Sequence, residues 1–247
     1  MDTNNSSAIR RFGEYLLFDL KTNIAAAGLS TLAFGLIPVI AFAAYALLCT
    51  SVGDKDWMMD LEVNFIIAAT ASVLYFLTLP ITCYGYLTEK RKGTQFLMLP
   101  ASHTEKYISM VLSSVIIFPI AFTIIYLSSD ALLATIFPSR YEGTIVGELV
   151  NTLQHNSSNL LIIFLPCMVS SAGLAGAMLF RKNKMAKTFL TSAVSFIVFI
   201  MIAVSVLDKL YGCMEIDLNS SSWYIFQTFC AICCLTYVYF KTKKIQL

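Results

Sequence analysis

An all-α fold that crosses a membrane several times is predicted by three observations. Six stretches of about twenty apolar residues recur along the chain, and a bilayer core about 30 Å thick takes about 20 residues to cross as a helix. None of the six carries an Asp, Glu, Lys or Arg, so the charged 13% of the sequence is confined to the connectors. A soluble domain carries about 25% charged residues. The basic residues, finally, gather in alternate connectors. The stretches are residues 23–49, 63–87, 107–129, 160–180, 188–207 and 223–240. With their connectors they form a single transmembrane domain over residues 1–247. They leave no room between them for a soluble catalytic domain of about 100 residues or more.

Orientation follows from charge. Arg10, Arg11 and Lys21 precede the first span, and Lys90, Arg91, Lys92 and Lys106 follow the second. Arg181, Lys182, Lys184 and Lys187 follow the fourth, and Lys241, Lys243 and Lys244 follow the last. The opposite side holds only Lys55, Arg140 and Lys209, together with ten of the 15 acidic residues. Basic connectors stay in the cytoplasm, so both termini are predicted inside, as an even number of spans requires.

Taken in order, residues 8–21 place Ile9, Phe12, Leu16 and Leu20 at helical spacing, with Arg10, Arg11, Glu14 and Lys21 mostly elsewhere on the wheel. This predicts an amphipathic helix lying in the interface, ahead of the first span. Charges recur up to Lys21 and the following apolar run is too long for a secretory signal, so the run is expected to be a retained span. Spans one to three contain Pro38, Pro80 and Pro119, each expected to kink its helix. Span four carries Pro166 and then a small-residue run, in which Ser170, Gly173, Gly176 and Ala177 are expected to form a helix-packing stripe. Hydroxyls on spans two and three, among them Thr70, Thr78, Ser109, Ser113 and Ser114, suit interhelical hydrogen bonds or a mildly polar path. The outer connector 130–159 is the longest, with a short helix expected at about 144–153. Cys230 and Cys233 stand mid-span with no further ligand beside them and read as small core hydrophobes.

The most specific connector is residues 89–106, EKRKGTQFLMLPASHTEK. A basic run and Gly93 lead into Gln95, Phe96, Leu97, Met98 and Leu99, an apolar patch outside the spans of the kind that marks a partner contact. Pro100 keeps the preceding residue extended. Ser102 and Glu105 then stand three apart, as in a capping box, at the start of the third helix.

This stretch, Phe96-Leu97-Met98-Leu99-Pro100-Ala101-Ser102-His103-Thr104-Glu105-Lys106, resembles the LP-x-S-x-x-E signature between spans two and three of ABC type-2 transporter permeases. Leu179–Thr188 resembles a matching corner in the six-span permease-like proteins of Bacteroides and relatives. The resemblance covers the whole chain in topology and about twenty residues in motif. It implies a multi-pass protein of the bacterial cytoplasmic membrane. Gln95–Leu99 would be a coupling helix docking on a separate ABC ATPase subunit, capped by Ser102 and Glu105, and the N-terminal helix would be the interfacial elbow. A second copy or a homologous permease subunit would complete a dimer. The chain departs from the pattern in its last outer loop, which is too short for a helical hairpin.

No Gly-rich phosphate loop followed by Lys-Ser or Lys-Thr occurs, so the chain is not expected to be an enzyme. It has no catalytic, metal or cofactor residues of its own, and ATP with Mg²⁺ belongs to the partner. His103 and His155 are predicted on opposite sides of the membrane. No span holds a carboxylate, which argues against a proton relay. No nucleic-acid partner is indicated. The expectation is therefore a permease subunit of an ATP-driven exporter of an apolar or amphipathic substrate. The alternative is a non-transporting membrane scaffold or accessory subunit that uses the same loop.

Overall fold

The computed structural model describes residues 3–53, 57–89, 101–147, 149–150, 161–195, 197 and 221–246. The helices are α1 (Thr3–Gly35), α2 (Ile37–Val52), α3 (Leu61–Tyr84), α4 (His103–Val111), α5 (Phe118–Ile136), α6 (Leu161–Leu179), α7 (184–195) and α8 (Ser221–Gln246). No strand occurs among the described residues, apart from an isolated bridge between Met59 and Tyr141.

Three helical stretches are long and apolar enough to cross a bilayer: Arg10–Val52, Leu61–Thr88 and His103–Ile136. They contain the first three spans read from the sequence. The fourth apolar stretch read from the sequence falls on α6, whose apolar part, Pro166–Leu179, is shorter than these three. The fifth stretch begins in α7 and leaves the described residues, and the sixth falls within α8.

Proline decides where these helices bend. α1 stops at Gly35, and Pro38 opens α2. The Val39 N–H turns to the Leu36 carbonyl at 3.1 Å, which frees the carbonyl of Gly35. Ser129 of α5 fills the gap with a hydroxyl donor at 2.9 Å, as a broken membrane helix requires. The third helix is not uniform either. A π-helical turn, Leu112–Ile117, joins α4 to α5 just before Pro119, whose ring cannot supply the N–H that an α-turn needs.

The N-terminal helix joins two segments that the sequence reading treats separately. No boundary separates an interfacial helix at 8–21 from a span beginning at 23; α1 runs unbroken through both. Nothing between Lys21 and Asn23 stops a helix, and the break comes only at Gly35–Pro38. The face that packs against the other helices is a polar one. The buried row is Tyr15, Asp19, Asn23, Ala27, Thr31 and Gly35, spaced four apart. Leu17, Phe18, Ile24, Leu29 and Leu32 point outward, while Phe12, Leu16 and Leu20 are half-buried. In lipid the apolar face needs no cover, and polar side chains turn inward to find partners. A row spaced by four winds slowly around a helix. It meets α4, then α3, then α5 in turn.

α3 is the central element. Tyr75, Phe76, Leu79 and Tyr84 are buried together with Met110, Phe118, Phe122 and Tyr126 of the third helix and Leu174 and Met178 of α6. The Tyr75 and Phe122 rings stack at 4.4 Å.

Candidate functional site

Contacts gather four basic segments at one end of the bundle. Arg11 of α1 pairs with Glu105 of α4 at 2.8 Å. Lys184 of α7 lies 3.6 Å from Glu89 and donates to the carbonyl of Gly85. Thr88 donates to the carbonyl of Phe180. His103 packs on Tyr239 near the end of α8, with ring centroids 5.0 Å apart. These are the connectors that the sequence assigns to one side of the membrane.

Ser102 and Glu105 form a complete capping box. The Ser102 hydroxyl accepts from the Glu105 N–H at 3.2 Å, and the Glu105 carboxylate accepts from the Ser102 N–H at 2.7 Å. The other carboxylate oxygen takes Arg11, at 2.8 Å from Nη2 and 3.3 Å from Nε. One glutamate thus caps the third helix and fastens α1 to it. His103–Ile136 is far longer than the roughly 20 residues that the hydrocarbon needs, and Glu105, in its first turn, belongs to the overhanging part. Arg11 and, next, the Ser102 amide hold its carboxyl below the usual carboxylate range. Gln95, Phe96, Leu97, Met98 and Leu99 lie outside the described residues. The geometry therefore defines the entry and exit of the expected coupling loop and not its apolar patch.

The stripe on α6 is buried, with Ser170 and Ala177 fully enclosed. It serves two neighbours. Gly173 lies against the α3 backbone at Phe76 and Leu77, and Gly176 against the Thr188 side chain of α7. Small residues here permit backbone approach.

Two buried carboxylates, which the sequence reading placed outside the spans, sit inside helices of membrane length. Asp19 of α1 is 5% exposed and Asp130 of α5 is 0% exposed. Both lie just outside the apolar stretches 23–49 and 107–129 read from the sequence, and the helices carry them into the protein interior. The third helix continues past residue 129 to Ile136, and Asp19 belongs to the continuous α1.

Asp19 Oδ2 accepts from the hydroxyls of Tyr84 and Ser109, each at 2.7 Å. Asn23 donates to Tyr84 Oη at 2.7 Å, and Ser113, at the π-turn, also hydrogen-bonds Tyr84. Asp130 is held differently. Oδ1 accepts from Asn64 Nδ2 at 2.9 Å and from Tyr141 Oη at 2.8 Å, and Oδ2 accepts from the backbone N–H of Ile145 at 2.9 Å. Between the two carboxylates, Thr31 and Tyr75 share a buried hydrogen bond of 2.9 Å, and Tyr126 Oη is buried without a partner among the described residues. Polar groups thus line the interface of α1, α3 and the third helix from one end to the other, interrupted at Ala27 and Phe122.

The sequence reading missed this interface because it looked for apolar stripes. The spacing of Asp19, Asn23, Ala27, Thr31 and Gly35 at four-residue intervals, polar at three of the five, was the available signal. No family model, curated protein or solved structure matches the chain.

Proposed function

We propose that this chain is the membrane-spanning subunit of an ATP-driven exporter of the ABC type-2 permease class. ATP and Mg²⁺ are held by a separate ATPase subunit that docks on Gln95–Leu99. The cargo is apolar or amphipathic, and a second copy or a homologous permease subunit completes the path. Six spans, cytoplasmic termini and the bacterial cytoplasmic membrane belong to the same proposal.

The observation that carries this reading is the double use of Glu105. A loop that transmits force needs a rigid exit and a lever beyond it. The capping box stiffens the exit, and the Arg11 pair joins it to α1. At the loop's entry, Glu89 and Gly85 meet Lys184, so a push on the loop reaches α1 and the α6–α7 corner together. The test is co-purification from native membranes. Phe96→Asp and Leu97→Asp are expected to lose the ATPase and keep normal membrane insertion; full retention of the ATPase by both variants defeats the assignment. A loop partner that binds no nucleotide selects the scaffold reading instead.

A further inference from the structure

We propose that Asp19 is a proton-binding site, loaded and unloaded inside the interface of α1, α3 and α4. The proposal does not rest on the ATPase reading. It comes from the contrast between the two buried carboxylates. Two of the three donors on Asp130 are N–H groups, from Asn64 and from the backbone of Ile145. An N–H donates and never accepts, so those two donors hold the Asp130 oxygens in one arrangement. The closest donors on Asp19 are the hydroxyls of Tyr84 and Ser109, with the Asn23 amide beside them, and a hydroxyl can either donate or accept.

The hydrogen count closes in both states. In the ionised state, Tyr84 and Ser109 each give a hydrogen to Oδ2, and Asn23 and Ser113 each give one to Tyr84 Oη. When a proton binds, the carboxyl O–H donates to Tyr84 Oη, Tyr84 turns its hydrogen to Ser113 Oγ, and Ser113 turns its own to the carbonyl of Ser109 or Met110. Ser109 likewise turns back to the carbonyl four residues before it. No group is left unpaired, and the Ser109 bridge from α1 to α4 is released. Protonation therefore changes which helices are tied together. The proton comes from water at the end where Arg11 is exposed, two helical turns along α1.

Among the described residues, the groups around the carboxyl are few. α1 contributes Tyr15 one turn away and Arg11 beyond it. α3 contributes Cys83 and Tyr84, and the turn after it Tyr86. α4 contributes Ser109 and, one turn earlier, the buried Lys106.

The experiment is pH-difference infrared spectroscopy of the full chain in lipid nanodiscs. A protonated-carboxyl C=O stretch of a water-shielded group is expected to appear on acidification and to be absent in Asp19→Asn. In Ser109→Ala the same band should titrate with the proton held about tenfold more tightly, because one donor to the ionised form is gone. The proposal is overturned if wild type and Asp19→Asn show the same titrating signal, or if Ser109→Ala leaves the midpoint in place. Should Asp19→Asn fail to insert, Ser109→Ala and Tyr84→Phe decide alone: unmoved midpoints in both reject Asp19 as the proton site.

Discussion

Gly173 of α6 rests on the backbone of Leu77 in α3, so closely that a Cβ at 173 would stand 2.8 Å from the Leu77 carbonyl oxygen and 3.0 Å from that of Phe76. The place is set by Pro80, inside α3, which has no N–H to offer the carbonyl of Phe76 four residues earlier. The exposed backbone of one helix meets the side-chain-free surface of the other. Substitution Gly173→Ala is expected to destabilise the protein by about 1–3 kcal/mol through overpacking, and Gly173→Leu by more. Thermal unfolding in detergent measures both, and an unchanged midpoint for Gly173→Leu would contradict the contact.

The capping box makes a second prediction. Ser102→Ala removes the acceptor for the Glu105 N–H and should cost about 1 kcal/mol. The carboxyl of Glu105 has its folded pKa below its unfolded value. Its contribution is therefore fully present above the unfolded pKa and is lost as pH falls through the folded one, below about pH 4. Glu105→Gln should flatten that acid limb of the stability curve; an identical acid limb in wild type and variant argues against the pairing.

Asp130 fastens the segment 141–145 to α5. In Asp130→Asn an amide N–H₂ faces donors from Asn64, Tyr141 and Ile145, and at least one of them loses its acceptor. Leaving a buried partner of a charged group unsatisfied costs about 1–3 kcal/mol or more. The expected readout is a lower melting temperature together with faster proteolysis near Tyr141. Equal proteolysis rates for variant and wild type would remove the fastening role.

The Thr31–Tyr75 hydrogen bond is buried between α1 and α3. A double-mutant cycle with Thr31→Val and Tyr75→Phe should give a coupling of about 0.5–1.5 kcal/mol, the range of interhelical hydrogen bonds in membranes. Strict additivity would show that the two hydroxyls find other partners.

The membrane-length helices and the Ser102–Glu105 cap were legible in the sequence because each is a local matter. A run of about 20 apolar residues suffices for the first, and two side chains three positions apart suffice for the second. Pro38 likewise marked a real interruption between α1 and α2, and Pro119 follows a π-helical turn within a continuous helix. Asp19 and Asp130 were read as connector residues, because charge was taken as the sign of water. The apolar pattern of residues 8–21 was read as an interfacial helix, and the row by which α1 packs went unnoticed.

By itself, the sequence determined an all-α chain for lipid, with its basic connectors segregated and the third helix started at Ser102. Only the tertiary structure decided that α1 packs by its polar row, that Glu105 serves Arg11 as well as its own helix, and that two carboxylates lie at opposite ends of one interface. The physical reason is that lipid rewards apolar surface on the outside without choosing among apolar faces. Which polar groups turn inward is then set by partners distant in sequence, such as Tyr84 and Ser109 for Asp19, and no local pattern encodes those pairings.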